Sequence, residues 1–307
     1  MSFTHPALLY RGDREYLAGT LPFIRGGLAA GEPVAVAVPP SRLRLLRTAL
    51  GDQAARVRLI DMTVAGRNPG RIIPGVLRAF ADAHPRGRVR IIGEPIWPGR
   101  SAAEYPACVQ HEALINLAFA GRPATILCPY DALRHSPEVL ADAAVTHPTI
   151  IDRDGERPSD AYDPEGAVAA HNRLDPAPPG AAELRFDGAG LPGVRGFTVG
   201  RAARLGLTGE RGDALEIAAY ELAANSVLHG GGTGVLHLWA AAGHLVCEVS
   251  DAGHLRDPLT GRRPAGLGTE GGRGVLLANH LADLVRTRTS PAGTTTRLYF
   301  RLPSVGT

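Results

Sequence analysis

The stretch YELAANSVLHGG, residues 220–231, decides how the second half of the chain is read. Glu221, Asn225 and His229 recur at four-residue steps and share one helical face, while Ile217, Leu222 and Val227 are placed to face a core. A carboxylate, an amide and an imidazole on one stripe suit a magnesium nucleotide. The hard cation takes oxygen ligands, an Asn carbonyl can supply one beside phosphate oxygens, and a carboxylate one turn earlier can accept a hydroxyl proton. Alone, such a stripe reads first as a solvated helix face.

Two later segments shift that reading. Residues 246–249 read as a strand running into Ser250-Asp251-Ala252-Gly253, where a carboxylate at a strand end can accept a hydrogen bond from a base amino group. A polar, proline-containing loop then leads to GLGTEGGRG, residues 266–274, which opens a helix at Val275. Glycines there let backbone N–H groups approach phosphate, the helix N-terminus favours negative charge, and Arg273 can fork onto phosphate oxygens. Around these pieces, strands are expected at 184–186, 234–240, 245–250, 284–289 and 294–302, with helices at 191–205, 213–229 and 274–284. Hairpin-like strand pairs plus helices predict an α+β sandwich with helices on one face.

The first half has a different texture. Apolar runs at 34–38, 57–60, 89–92 and 125–128 alternate with helical patterns at 42–50, 74–83 and 107–120. Near-continuous apolar strands separated by helices predict a doubly wound α/β domain with a mostly parallel sheet. Residues 151–181, rich in Asp, Pro and Gly without a sustained apolar period, read as a linker. The expected organisation is therefore a first domain over 1–150, the linker over 151–181 and a second domain over 182–307.

Composition narrows the chemistry. At 307 residues, with 44% hydrophobic and 21% charged, the chain has the length and make-up of about two globular domains. All 33 basic residues are Arg, which excludes a Schiff-base lysine or a phosphate-loop lysine. They are spread along the chain without a basic stripe, so no direct nucleic-acid partner is expected. No apolar run is long enough to span a membrane and the first residues lack a secretory pattern, so a cytoplasmic location is expected. Cys108, Cys128 and Cys247 show no paired spacing and read as buried thiols.

Residues ~183–303 resemble the ATPase domain of the GHKL superfamily, in the branch of anti-sigma factor serine kinases related to histidine-kinase catalytic domains. ELAANSVLHGG is similar to that family's N box, DAG to its first glycine box, GGRGVLL to its second, and AGTTTRLYFRLP to its closing strand. The resemblance implies ATP and Mg2+ as cofactors. It implies Glu221 as catalytic base, Asn225 as magnesium ligand, and Asp251 bound to the adenine amino group with Gly253 beside the base. It places Gly272, Arg273 and Gly274 against the phosphates and gives Thr294 a supporting role in the adenine pocket. Leu255 departs from the family pattern D-x-G-x-G, where a second glycine belongs, and 256–269 is the implied lid. The implied partners are a sigma factor and a STAS-type anti-anti-sigma protein, and related kinases are often homodimers. No dimerising helix with a phosphoacceptor His precedes the domain.

The first half resembles the MEDS sensory domain over ~4–150, through His5-Pro6-Ala7-Leu8-Leu9-Tyr10, Gly93-Glu94-Pro95-Ile96-Trp97, His111-Glu112-Ala113-Leu114 and Cys128-Pro129-Tyr130-Asp131. That resemblance implies a RecA-like shape and a small-molecule ligand. Glu94 and Tyr130 fall at expected strand ends, where open α/β sheets keep their ligand sites, although Pro95, Trp97 and Tyr130 serve equally to close a core. Other matches fail on context. Residues 266–271 fit G-x-G-x-x-G but follow a polar loop, His229-Gly230-Gly231-Gly232 has no G-x-S-x-G serine to serve, and His111-Glu112 lacks the second histidine of a zinc helix. Two function classes remain. One is a serine/threonine kinase of an anti-anti-sigma partner under N-terminal sensory control. The other is a sensor or binding module, or a partial sensor histidine kinase, that binds nucleotide and a partner without phosphotransfer.

Overall fold

The computed structural model describes residues 3–264 and 272–303. It forms two compact units, Met1–His171 and Asn172–Thr307. The first contains β1 (Pro6–Tyr10), α1 (Gly12–Ala29), β2 (Val34–Val38), α2 (Pro40–Leu50), β3 (Arg58–Asp61), α3 (Met62–Ala65), α4 (Ala79–Asp82), β4 (Val89–Gly93), α5 (Tyr105–Ala118), β5 (Ala124–Asp131), α6 (Pro137–Thr146), β6 (Thr149–Asp152), β7 (Gly155–Pro158) and α7 (Pro164–Ala170). The strands lie in the order β3-β2-β4-β5-β1-β6-β7, all parallel except the last pair. Val34, Val36 and Val38 pack with Tyr16 and Ile24 of α1 and Leu46 of α2 on one face. Ala35 and Ala37 alternate to the other face and are equally buried, so β2 is covered on both sides. A doubly wound, mostly parallel sheet is thus what the alternating apolar runs build.

The second unit contains β8 (Ala182–Asp187), α8 (Leu191–Arg204), α9 (Gly209–His229), β9 (Thr233–Ala241), β10 (His244–Asp251), α10 (Arg273–Leu281), β11 (Leu284–Ser290) and β12 (Gly293–Arg301). Its five strands form an antiparallel sheet in the order β11-β12-β10-β9-β8. Leu236, Leu238, Cys247 and Phe300 from the strands meet Val194, Leu215, Leu222 and Ala278 from the three helices in one core. Helices on one face of an antiparallel sheet form the expected α+β sandwich, the GHKL ATPase architecture. Ile217 is a correction: it is 41% exposed, because the face of α9 that meets the sheet runs through Leu215, Ala218, Ala219, Leu222, Ala223 and Ser226.

Within 151–181, where a linker was expected, residues 151–171 carry regular structure. Thr149–Asp152 pairs parallel with β1 and turns back through a two-residue connection into Gly155–Pro158. Asp163 caps α7 by accepting from the Gly166 N–H at 2.9 Å, with Pro164 at the first helical position. Past the unit boundary at 171/172 the chain is strapped to the sheet of the second unit. Asn172 donates to the Thr289 carbonyl at 2.7 Å and accepts from its N–H at 3.0 Å, and Arg286 donates to the Arg173 carbonyl at 2.8 Å. Arg297 donates to the Asp175 carbonyl and, at 2.5 Å, to buried Glu248. Among the described residues, no helix is long and apolar enough to cross a membrane.

Candidate functional site

In the second unit α9, the end of β10 and the start of α10 converge. Glu221 and Asn225 are half-buried one turn apart on α9. The first turn of α10 comes so close to them that a Cβ on Gly274 would lie 2.7 Å from Glu221 Oε2 and 3.1 Å from Asn225 Nδ2. Any larger residue there would push the Glu221 carboxylate and the Asn225 amide aside. Gly272, with φ of 80°, is the left-handed residue that starts α10, and Arg273 is exposed at its first position. His229 is exposed at the end of α9, off the cluster.

Asp251 ends β10 and is oriented twice over. Its carboxylate accepts from the Ser226 hydroxyl at 2.6 Å and from the Gly253 N–H at 2.8 Å. The closeness is again set by glycines. A Cβ on Gly230 would meet the Asp251 Cγ at 2.5 Å, and one on Gly253 would meet the Gly230 Cα at 2.8 Å. Thr294 lies opposite Asp251 in the β10–β12 register, and its hydroxyl donates to the Gly253 carbonyl at 2.8 Å. Gly293 before it has φ of 143° and leaves no room for a Cβ beside the Asp251 carbonyl. Leu255, where a glycine was expected, has its N–H held by the Thr289 hydroxyl at 2.9 Å. Among the described non-glycine residues only Ala242 has a positive φ, so the Leu255 position does not demand glycine. Of the expected lid, 265–269 lies outside the described residues, as does the G-x-G-x-x-G run at 266–271. Sequence reasoning missed the roles of Ser226 and Gly230, each adjacent in sequence to a residue it did single out, whereas the Gly293-Thr294 pair was expected near the nucleotide.

The first unit gathers a second polar group at the carboxyl ends of its parallel strands. Glu94 follows β4, Tyr10 ends β1, Asp131 ends β5, and Arg42 sits in the first turn of α2 after β2. The Arg42 guanidinium lies 5.1 Å from the Tyr10 ring centre and 4.8 Å from that of Tyr16, and pairs with Asp13 and Asp131. Glu94 Oε2 and the Tyr16 hydroxyl are buried and, among the described residues, meet no hydrogen-bond partner. Burial pushes the Glu94 carboxyl up to about 8, helped by Asp131 and opposed by Arg42 and Arg134. Of the residues expected near here, Pro95 and Tyr130 are buried, and Trp97 is half-buried with Arg100 stacked 3.7 Å from its ring centre.

Comparison with known proteins divides the chain in the same way. Residues 4–148 match the family described as MEDS, the methanogen/methylotroph DcmR sensory domain, and residues 185–300 match the histidine kinase-like ATPase domain family. No curated protein matches. Among solved structures, the RsbU and RsbW domains of Rv1364c from Mycobacterium tuberculosis are similar at 23% identity with a TM-score of 0.31, over 42% of this chain and 34% of that one. The chain thus spans about a third of the length of that relative.

Proposed function

We propose, for a chain that joins a MEDS domain to a histidine kinase-like ATPase domain, an ATP-binding regulatory kinase of the anti-sigma type, which phosphorylates a serine or threonine of a STAS-type anti-anti-sigma partner and also holds a sigma factor. The observation that carries this reading is the closure of the Gly274 turn onto Glu221 and Asn225, beside an Asp251 carboxylate fixed by Ser226 and Gly253. The cradle and its donor set fit a magnesium nucleotide: each close approach is made by glycine backbone, and the polar atoms offered are a carboxylate, an amide and helix-start N–H groups.

Asp251 has two of its lone-pair positions filled by protein donors, and its remaining capacity would accept the adenine amino group. Thr294 holds the Gly253 carbonyl and so keeps the turn beside the base in place. The N–H groups at the start of α10, with Arg273, would hold the phosphates, and the Asn225 carbonyl would hold magnesium. Bound magnesium ATP would supply the transferable phosphoryl group and neutralise charge on it. Glu221 would accept the proton of the partner hydroxyl. In the first unit, the group around Glu94, Tyr16 and Arg42 lies where open α/β sheets bind small molecules, and is the site we assign to a sensed ligand.

The test is the full chain with γ-labelled ATP and a panel of STAS-type proteins. Label on a serine or threonine of one of them, lost in Glu221→Gln, is expected. ATP binding without transfer to any of them leaves the non-catalytic binding module as the function, and absence of ATP binding overturns both.

A further inference from the structure

A different cluster, buried under α5 on the sheet face opposite the α1–α2 core, belongs to neither site. His5 precedes β1, Glu112 is on α5, Cys128 is in β5 beside Ala7 of β1, and His147 follows α6. All four are essentially inaccessible to solvent. Glu112 Oε2 lies 3.3 Å from His5 Nε2, 3.4 Å from His147 Nε2 and 3.4 Å from Cys128 Sγ, and Cys128 Sγ lies 3.4 Å from His5 Nε2. All four ligand atoms fall within 4.8 Å of one another, the only such grouping of three or more among the described residues.

The hydrogen bonds around the cluster fix where its protons are. Asn116 uses its amide N–H groups on the carbonyls of Ala113 and Thr146, at 3.1 and 2.9 Å, so the Asn116 Oδ1 that faces His5 Nδ1 at 3.2 Å accepts. His147 Nδ1 faces the Ala143 carbonyl at 2.8 Å, which also only accepts. The Nδ1 of each imidazole is thus committed to an acceptor, and each ring turns its Nε2 toward the same carboxylate oxygen. Four electron-pair donors face one centre. Protonating both rings would satisfy them only by burying two imidazolium groups whose ring centres are 4.1 Å apart.

We propose that His5, Glu112, Cys128 and His147 form a closed four-ligand site for a first-row divalent cation, with zinc the ion it fits best. A tetrahedron with metal–ligand bonds of about 2.1 Å has edges of about 3.4 Å, which is the spacing the four measured separations already show. Two imidazoles, a carboxylate and a thiolate suit zinc, and the Nδ1 bonds to Asn116 and Ala143 are the outer contacts that orient metal-bound histidines. On binding, the cation displaces the Cys128 thiol proton to solvent and takes the sulfur as thiolate. Every ligand is buried and supplied by the protein, so the site is structural.

The test uses the full chain, purified without a polyhistidine tag or chelator. Mass spectrometry of the metals should find about one zinc per chain, with removal by chelator lowering the melting midpoint and added zinc restoring it. Reconstitution with Co2+ should give the strong visible bands of a tetrahedral ion and a thiolate-to-metal charge-transfer band in the near ultraviolet. That readout needs no variant and survives if Cys128→Ser and His147→Gln fail to fold. Where they fold, both should lose the metal while Cys247→Ser retains it. A metal-free chain whose melting midpoint ignores added zinc overturns the proposal. So does a cobalt spectrum without the thiolate band.

Discussion

The two units hold their polar clusters in opposite ways. In the second, Glu221, Asn225, Asp251 and Gly274 sit in three short motifs, are half-buried or approached by backbone, and leave the core to Leu222, Ala223 and their neighbours. In the first, His5, Glu112, Cys128 and His147 come from four elements spread over more than a hundred residues, and they replace core. A site laid on a finished fold can lose a side chain and keep the fold. A site that occupies the interior cannot, because removing one member leaves the others buried and unsatisfied.

The sharpest way to break this contrast is Asn225→Ala. It should abolish magnesium-dependent ATP binding by calorimetry while leaving the melting midpoint within a few degrees of the parent. A large fall in the midpoint would show that the α9 stripe is structural after all. Next in size, Glu221→Ala should lower phosphotransfer by ~10²-fold or more with ATP affinity changed only a few-fold. Loss of both together would remove Glu221 from the role of base. A fragment starting at 182 should bind ATP but melt below one starting at 172, since Arg286 and Arg297 lose the Arg173 and Asp175 carbonyls as acceptors. Equal midpoints would make the strap ornamental.

The smallest effect concerns Glu94. Its pKa is raised to about 8 in the folded chain, so the native state binds the extra proton, and stability present at low pH is lost as pH rises from the ordinary carboxylate range to about 8. Glu94→Gln removes that loss. Melting curves should therefore move in the variant's favour between about pH 5 and pH 8 and run parallel above it. A constant offset across that range would mean that Glu94 is ionised throughout.

How much of this was legible in the sequence follows the same division. Period and motif order gave the two sheets, and they named residues that the fold brings together, Gly274 against Glu221 and Thr294 against Asp251. The stretch 151–171 was misread because Asp, Pro and Gly are the residues of linkers and equally those of caps and tight turns: Asp163-Pro164 starts a helix, and Gly155 closes a hairpin. Ile217 was misplaced because the small residues Ala218, Ala219 and Ala223, weak signals in an apolar pattern, take the sheet-facing side of α9. The His5 cluster gave no local spacing at all. Its members meet only once β1 lies beside β5 and α5 covers them.

The side chain of Asn172 has a consequence of another kind. By donating one N–H to the Thr289 carbonyl and accepting the Thr289 N–H it imitates a neighbouring strand for one residue of β11, which is an edge of its sheet. The other three sheet ends, β3, β7 and β8, each carry charge: Arg58 and Asp61, Glu156 and Arg157, Glu183 and Arg185. Pro158 further denies β7 a donor. Charge thus marks all four margins, β11 through Arg286 and Arg288, and the Asn172 amide is added at β11, so Asn172→Val is expected to raise aggregation through that edge, read by light scattering.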